Sequence, residues 1–216
     1  MGIVSDIYNA VELGNFQWPI RNSHPVHPSI VHFPLTFLTT AYSLDMVYGL
    51  ASHYSKSITL ATRLAPYLPG IAQFAYASHV VAVITSIPAM TSGSAEFWEL
   101  YKKDGLNYKD KKLTNPGRSG DDIINRSINV GAAHGILNAV AFGVSMYAII
   151  SRWKVPGCIP GRASIWLSAL TFPGLALSAA LGGELVYGKG VGVQRMGNAR
   201  DEKIAGLEAY KEKRAL

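Results

Sequence analysis

Four ionisable side chains stand inside apolar stretches of this 216-residue chain: His32, Asp45, His79 and His134, with Glu184 at the close of the last such stretch. An ionised aspartate at the centre of a helix in lipid costs about 2.5 to 3.5 kcal/mol on insertion scales, so each of these groups needs a partner or a task. Imidazole suits Zn, Cu and Fe, and two histidines on facing helices can hold haem b edge-on. His32 and His134 are the candidate pair, as axial haem ligands or as ligands of a transition metal, with His79 in reserve. Asn138, one turn from His134, or Glu184 could orient a ring by hydrogen bonding. A second chemistry is a proton relay from Asp45 through His79 toward His32 and His134, with ordered water across the gaps, and a third reading is a small proton-coupled carrier using Asp45 and His79. The plainer reading makes the histidines neutral ties between helix ends. It makes Asp45 a hydrogen-bonded anchor, with Arg63, Tyr67, Gln73 and Ser145 as candidate partners. His27 is turned ~140° from His32 on a helix, and His24 and His53 read as solvated.

The elements that must position these groups follow from where the apolar residues gather. Hydrophobic residues make up 49% of the chain and charged ones 16%, below the roughly 25% usual for soluble domains. The apolar residues fall in four blocks with the charges between them. Each block is long enough to cross a ~30 Å hydrocarbon layer at 1.5 Å per residue. The expected fold is therefore all-α, an integral membrane four-helix bundle with spans at about 29–50, 66–90, 128–150 and 162–187. A polar arm, 1–27, precedes the bundle of 28–190, and a soluble charged tail, 191–216, follows it, with a short helix expected from Ala199 to Leu216. Pro28 suits a first helical position, and Pro34 frees the carbonyl of Ile30. His134, Asn138 and Ser145 share one face of the third span. In the fourth, Gly174, Ser178 and Gly182 form a small-residue ridge for close helix packing, beside a hydroxyl stripe of Ser164, Ser168 and Thr171.

Four spans put both termini and the long polar loop, 92–127, on one side. That side holds fifteen of the 20 Lys and Arg and the other side five, which places both termini in the cytoplasm or its topological equivalent. On this topology His32 and His134 lie roughly 6 and 9 Å from the cytoplasmic ends of their helices, with Glu184 near the same face and His79 roughly 16 Å deep. The net charge of +6 comes without a basic stripe interleaved with aromatics, so nucleic acid is not an expected partner. Membrane lipids are, and the segments 92–127 and 191–216 could grip a larger membrane or respiratory complex in an accessory role. Cys158 is the one cysteine, so no disulfide framework or cysteine metal knuckle can form within the chain. The first 27 residues lack the apolar core of a secretory signal and are expected to be retained. No phosphate-cradling loop, nucleophile elbow or paired metalloprotease histidines occur. Gly188-Lys189-Gly190-Val191-Gly192 follows a membrane helix rather than a strand.

The opening His27-Pro28-Ser29-Ile30-Val31-His32-Phe33-Pro34, the histidine early in the third span at His134, and the close Gly182-Gly183-Glu184-Leu185-Val186-Tyr187 together resemble a known family. It is the bacterial and fungal membrane family called domain of unknown function 2231, and the likeness covers about Pro25 to Val193. The resemblance implies four membrane helices. Some relatives carry fused Rieske iron–sulfur or cytochrome c modules, so it also implies a setting of membrane electron transfer, in which a haem or metal at His32 and His134 would serve. The chain departs from the family pattern in its long loop between the second and third spans and its longer charged tail, and its 216 residues include no redox module.

Overall fold

The computed structural model describes residues 26–54, 59–104 and 126–188. Among them every regular element is helical: α1 (Val26–Ile30), α2 (His32–Tyr54), α3 (Thr59–Leu64), a 3₁₀ turn (Ala65–Tyr67), α4 (Leu68–Asp104), α5 (Arg126–Arg152), a second 3₁₀ turn (Pro156–Cys158), α6 (Arg162–Gly183) and a π-helical turn (Glu184–Gly188). The expected helix at Ala199–Leu216, the glycine-rich segment after Gly188 and most of the polar arm and long loop lie outside the described residues.

Two boundaries differ from the sequence expectation, each for a local reason. The first span is not one helix from Ser29. It breaks at Val31 and restarts as α2, with Leu35 N–H donating to Val31 O at 3.1 Å. Pro34 has no N–H to offer the Ile30 carbonyl and its ring crowds that oxygen, so the chain places Pro34 in the first turn of a new helix, where the missing donor costs nothing. The second span does not close at Met90. It continues through Pro88 to Asp104, 37 residues in all, or about 56 Å at 1.5 Å per residue. The stretch Ala95-Glu96-Phe97-Trp98-Glu99-Leu100-Tyr101-Lys102-Lys103 contains no glycine, proline or β-branched residue to stop it.

The chain divides into two compact units. The first described here comprises Ile30–Met90 and Ala133–Leu181. Its core joins four helices: Leu38 and Tyr42 of α2, Ala82 of α4, Ala141 of α5 and Leu175 of α6, with Leu35, Phe37, Val144 and Phe172 packed against them. Small and polar side chains fill much of the interior, including Ala41, Ala72, Ala75, Ser78, Ser145 and Ser168. The large apolar side chains point outward, among them Leu170 at 73% and Trp166 at 68% exposure, together with Ile84, Ile136 and Ile150. Water would penalise such a surface, and lipid tails do not. Among the described residues, three helices are long and apolar enough to cross a membrane, within Ala61–Trp98, Ile128–Arg152 and Pro156–Tyr187. The fourth, α2, has 23 residues and so the length to cross.

One close approach between helices is at Gly49 of α2. A Cβ added at Gly49 of α2 would stand 2.5 Å from Ile165 Cγ2, whereas one added at Gly174 would meet Leu137 at an ordinary 3.6 Å. Gly157, at φ +70°, turns the chain between α5 and α6 in a conformation that L side chains rarely adopt.

The second unit contains Thr91–Ala132 with Met1–Ser29 and Gly182–Leu216. Within it the His27 imidazole lies over Gly93, where an added Cβ would fall 2.5 Å from Cε1, and its Nδ1 is 3.2 Å from Ser92 Oγ. Phe97 rests on Gly131, and the exposed Trp98 stacks on Tyr101 with ring centroids 5.8 Å apart.

Candidate functional site

In the first unit α2, α4, α5 and α6 each carry a buried stripe at helical spacing, and the stripes meet at Asp45. On α2 the stripe is Leu38, Tyr42 and Asp45; on α4, Ala75, His79 and Ala82; on α5, Ala141, Ser145, Ala148 and Arg152; on α6, Ser164, Ser168 and Thr171. Asp45, His79 and Arg152 are all at 0% exposure. The Asp45 Oδ2 oxygen receives three donors: Arg152 Nη2, Ser168 Oγ at 2.8 Å and His79 Nε2 at 3.1 Å. A carboxylate taken out of water survives as an anion only with such company, because its isolated burial costs several kcal/mol.

The network continues from the other side of the imidazole. His79 Nδ1 is 3.0 Å from Ser145 Oγ, which is 3.1 Å from Tyr42 Oη, and Tyr42 donates to the Ala141 carbonyl at 2.6 Å. The Tyr42 ring also meets the imidazole edge-on, with centroids 5.5 Å apart. Three further polar atoms of the cluster, Asp45 Oδ1, Arg152 Nε and Arg152 Nη1, are buried without a hydrogen-bond partner among the described residues, as is Ser78 Oγ.

His134 belongs to a different set of contacts. Its Nδ1 donates to the Ser178 carbonyl at 2.8 Å, which requires the hydrogen on that nitrogen, and Asn138 Nδ2 lies 3.1 Å from Nε2 as its donor. Asn138 also donates to the His134 carbonyl at 2.9 Å, and Ser178 Oγ is 3.1 Å from Nδ1. The ring ties α5 to α6. A metal or haem iron at Nε2 would have to displace the Asn138 amide. His32 is exposed in the first turn of α2, and Glu184, half-buried, opens the π-helical turn in the second unit. Among the described residues no three His, Cys, Asp or Glu side chains are grouped so as to hold a metal ion.

The profile of a family described as "Predicted membrane protein (DUF2231)" matches residues 23–195, most of the chain. The chain belongs to the DUF2231 family. No curated protein and no solved structure matches it.

In this DUF2231 protein the structure joins Asp45 to His79 directly, with no gap for water between them, and joins His134 to Asn138. Of the partners expected for Asp45, Ser145 enters the cluster through His79, while Arg63, Tyr67 and Gln73 are exposed. The residues that sequence reasoning missed are Arg152, Ser168 and Tyr42. Arg152 reads in the sequence as a cation closing the third span, yet it continues the 141, 145, 148 register by one more turn. Ser168 sits in the hydroxyl stripe already noted on α6, and Tyr42 stands three residues before Asp45 on the same face of α2. A search for a countercharge on the buried register of another helix would have found Arg152.

Proposed function

We propose that this membrane protein moves protons, binding one at a time at the Asp45–His79 pair with Arg152 as the fixed countercharge. The observation that carries the reading is a wholly buried carboxylate bonded at once to an imidazole and a guanidinium, with the imidazole leading on to Ser145 and Tyr42. Histidine is the side chain whose charge changes near neutral pH, and Asp and His within membrane helices recur in proton relays. A purely structural anchor fits less well. A buried ion pair is no more stabilising than apolar packing of similar volume. Proton movement ranks ahead of haem or metal ligation because His134 has both ring nitrogens engaged within the bundle. The fifteen-to-five distribution of Lys and Arg supports cytoplasmic termini.

Vesicles reconstituted with the pure protein and loaded with a pH-sensitive dye test this directly. Under a potassium diffusion potential the wild type should acidify or alkalinise the lumen faster than empty vesicles. Asp45→Asn should abolish the difference, and His134→Phe should leave it. Wild-type vesicles as proton-tight as empty ones would refute the proposal.

A further inference from the structure

The contacts around His79 form a line whose two ends accept hydrogen and cannot give it. At one end is the Ala141 carbonyl and at the other the Asp45 carboxylate, held ionised beside Arg152. Each hydroxyl between them has a single hydrogen to place. Tyr42 gives its hydrogen to Ala141 O at 2.6 Å, so toward Ser145 it can only accept. Ser145 must then give its own hydrogen to Tyr42 if that 3.1 Å contact is a bond, and toward His79 it too can only accept. His79 Nδ1 must therefore carry a hydrogen for Ser145, while Nε2 carries one for Asp45. All four contacts are satisfied together only when the imidazole holds two protons.

Remove one proton and the line must change somewhere. Nε2 keeps its hydrogen, because a bare lone pair there would face a carboxylate. Nδ1 is the site that empties, Ser145 rotates its hydroxyl to donate to it, and the Ser145–Tyr42 contact is left without a hydrogen. The two states trade against each other. The protonated one has every bond but one negative and two positive charges in a buried interior, and the deprotonated one balances its charges but loses a bond.

We infer that Tyr42 and Ser145 are positioning residues that set the proton affinity of His79, with the Ser145 hydroxyl reversing direction each time a proton arrives or leaves. This rests on the proton-moving reading above and specifies how its binding site is tuned. The titratable and charged groups facing the imidazole are Asp45 and Tyr42 of α2 and, through the shared carboxylate, Arg152 of α5; α6 contributes the uncharged Ser168 to that carboxylate.

The test is nitrogen NMR of the full-length protein labelled in its histidine rings and held in lipid nanodiscs, titrated between about pH 5 and 9, with His79→Gln assigning the signal. As pH rises, the wild type should lose its proton from Nδ1 and keep the one on Nε2. Tyr42→Phe keeps the ring against His79 but frees Ser145 to donate permanently, so the proton-binding constant should fall by about threefold to tenfold, the size of one hydrogen bond. Ser145→Ala, which removes the acceptor from Nδ1, should also weaken proton binding. Loss of the proton from Nε2, or a Tyr42→Phe curve superimposable on the wild type, overturns this inference while leaving proton movement intact. A His79 that never gains a second proton across the range overturns both.

Discussion

Arg152→Met is the substitution whose cost the buried network fixes most closely. Methionine keeps the aliphatic bulk of the arginine, so little cavity opens, and the change is almost wholly electrical. Asp45 would retain Ser168 and His79 as donors but lose its one permanent cation, at a position where both partners are fully buried. Breaking such a pair from one side costs about 3–5 kcal/mol, because the remaining charge stays buried and uncompensated. Adding Asp45→Asn to the same chain removes that charge, and most of the loss should return, since neutral packing can replace a buried ion pair at little cost. Unfolding by SDS titration in mixed micelles, followed by loss of helical circular dichroism, measures all three chains. A single variant within about 0.5 kcal/mol of wild type, or a double variant no more stable than the single, would refute the placing of Asp45 as a buried anion.

Other predictions use the same assay. Gly49→Ala should destabilise by about 1–3 kcal/mol, because its new methyl would stand 2.5 Å from the branched Cγ2 of Ile165, and Ile165→Ala in the same chain should relieve it. Gly174→Ala should change stability by less than about 0.5 kcal/mol, since the nearest atom there is 3.6 Å away. His134→Phe removes the donor to the Ser178 carbonyl and the acceptor for Asn138, and should cost about 1–3 kcal/mol.

The helical class and the approximate spans were legible because an apolar block of twenty or more residues admits few other structures. The boundaries were less so. At the start of α2 the sequence contains both prolines, and a helix beginning at Pro28 and one restarting before Pro34 satisfy the same local rules; only the crowding of the Ile30 carbonyl separates them. At the end of α4 polarity misled. Ser92, Ser94, Glu96 and Glu99 look like the opening of a loop, yet the run from Ala95 to Lys103 is rich in good helix formers, Ala, Glu, Leu and Lys, and carries the helix on. A small residue permits a near approach without compelling one: Ile165 presses on Gly49, while Gly174 meets Leu137 at ordinary contact distance.

The site divides along the same physical line. Asp45, His79 and Ser145 could be singled out because polar groups in an apolar span announce themselves, whatever lies around them. Their pairing could not, because it depends on the rotation of four helices about their axes. Arg152 shows what was within reach. Taken as the last residue of an apolar helix it looks like a residue at the membrane surface; taken as the next member of the Ala141, Ser145, Ala148 stripe it is aimed at the interior, and the one acid carried deep into the opposing helices is Asp45. A buried anion demands a cation more strongly than a helix end does, since an exposed charge at a terminus gains about 0.3–1 kcal/mol and an unpaired buried one loses several times that. Weighing those two magnitudes is enough to turn Arg152 inward, and with it inward the carboxylate, the imidazole and the line of hydroxyls behind them become one site.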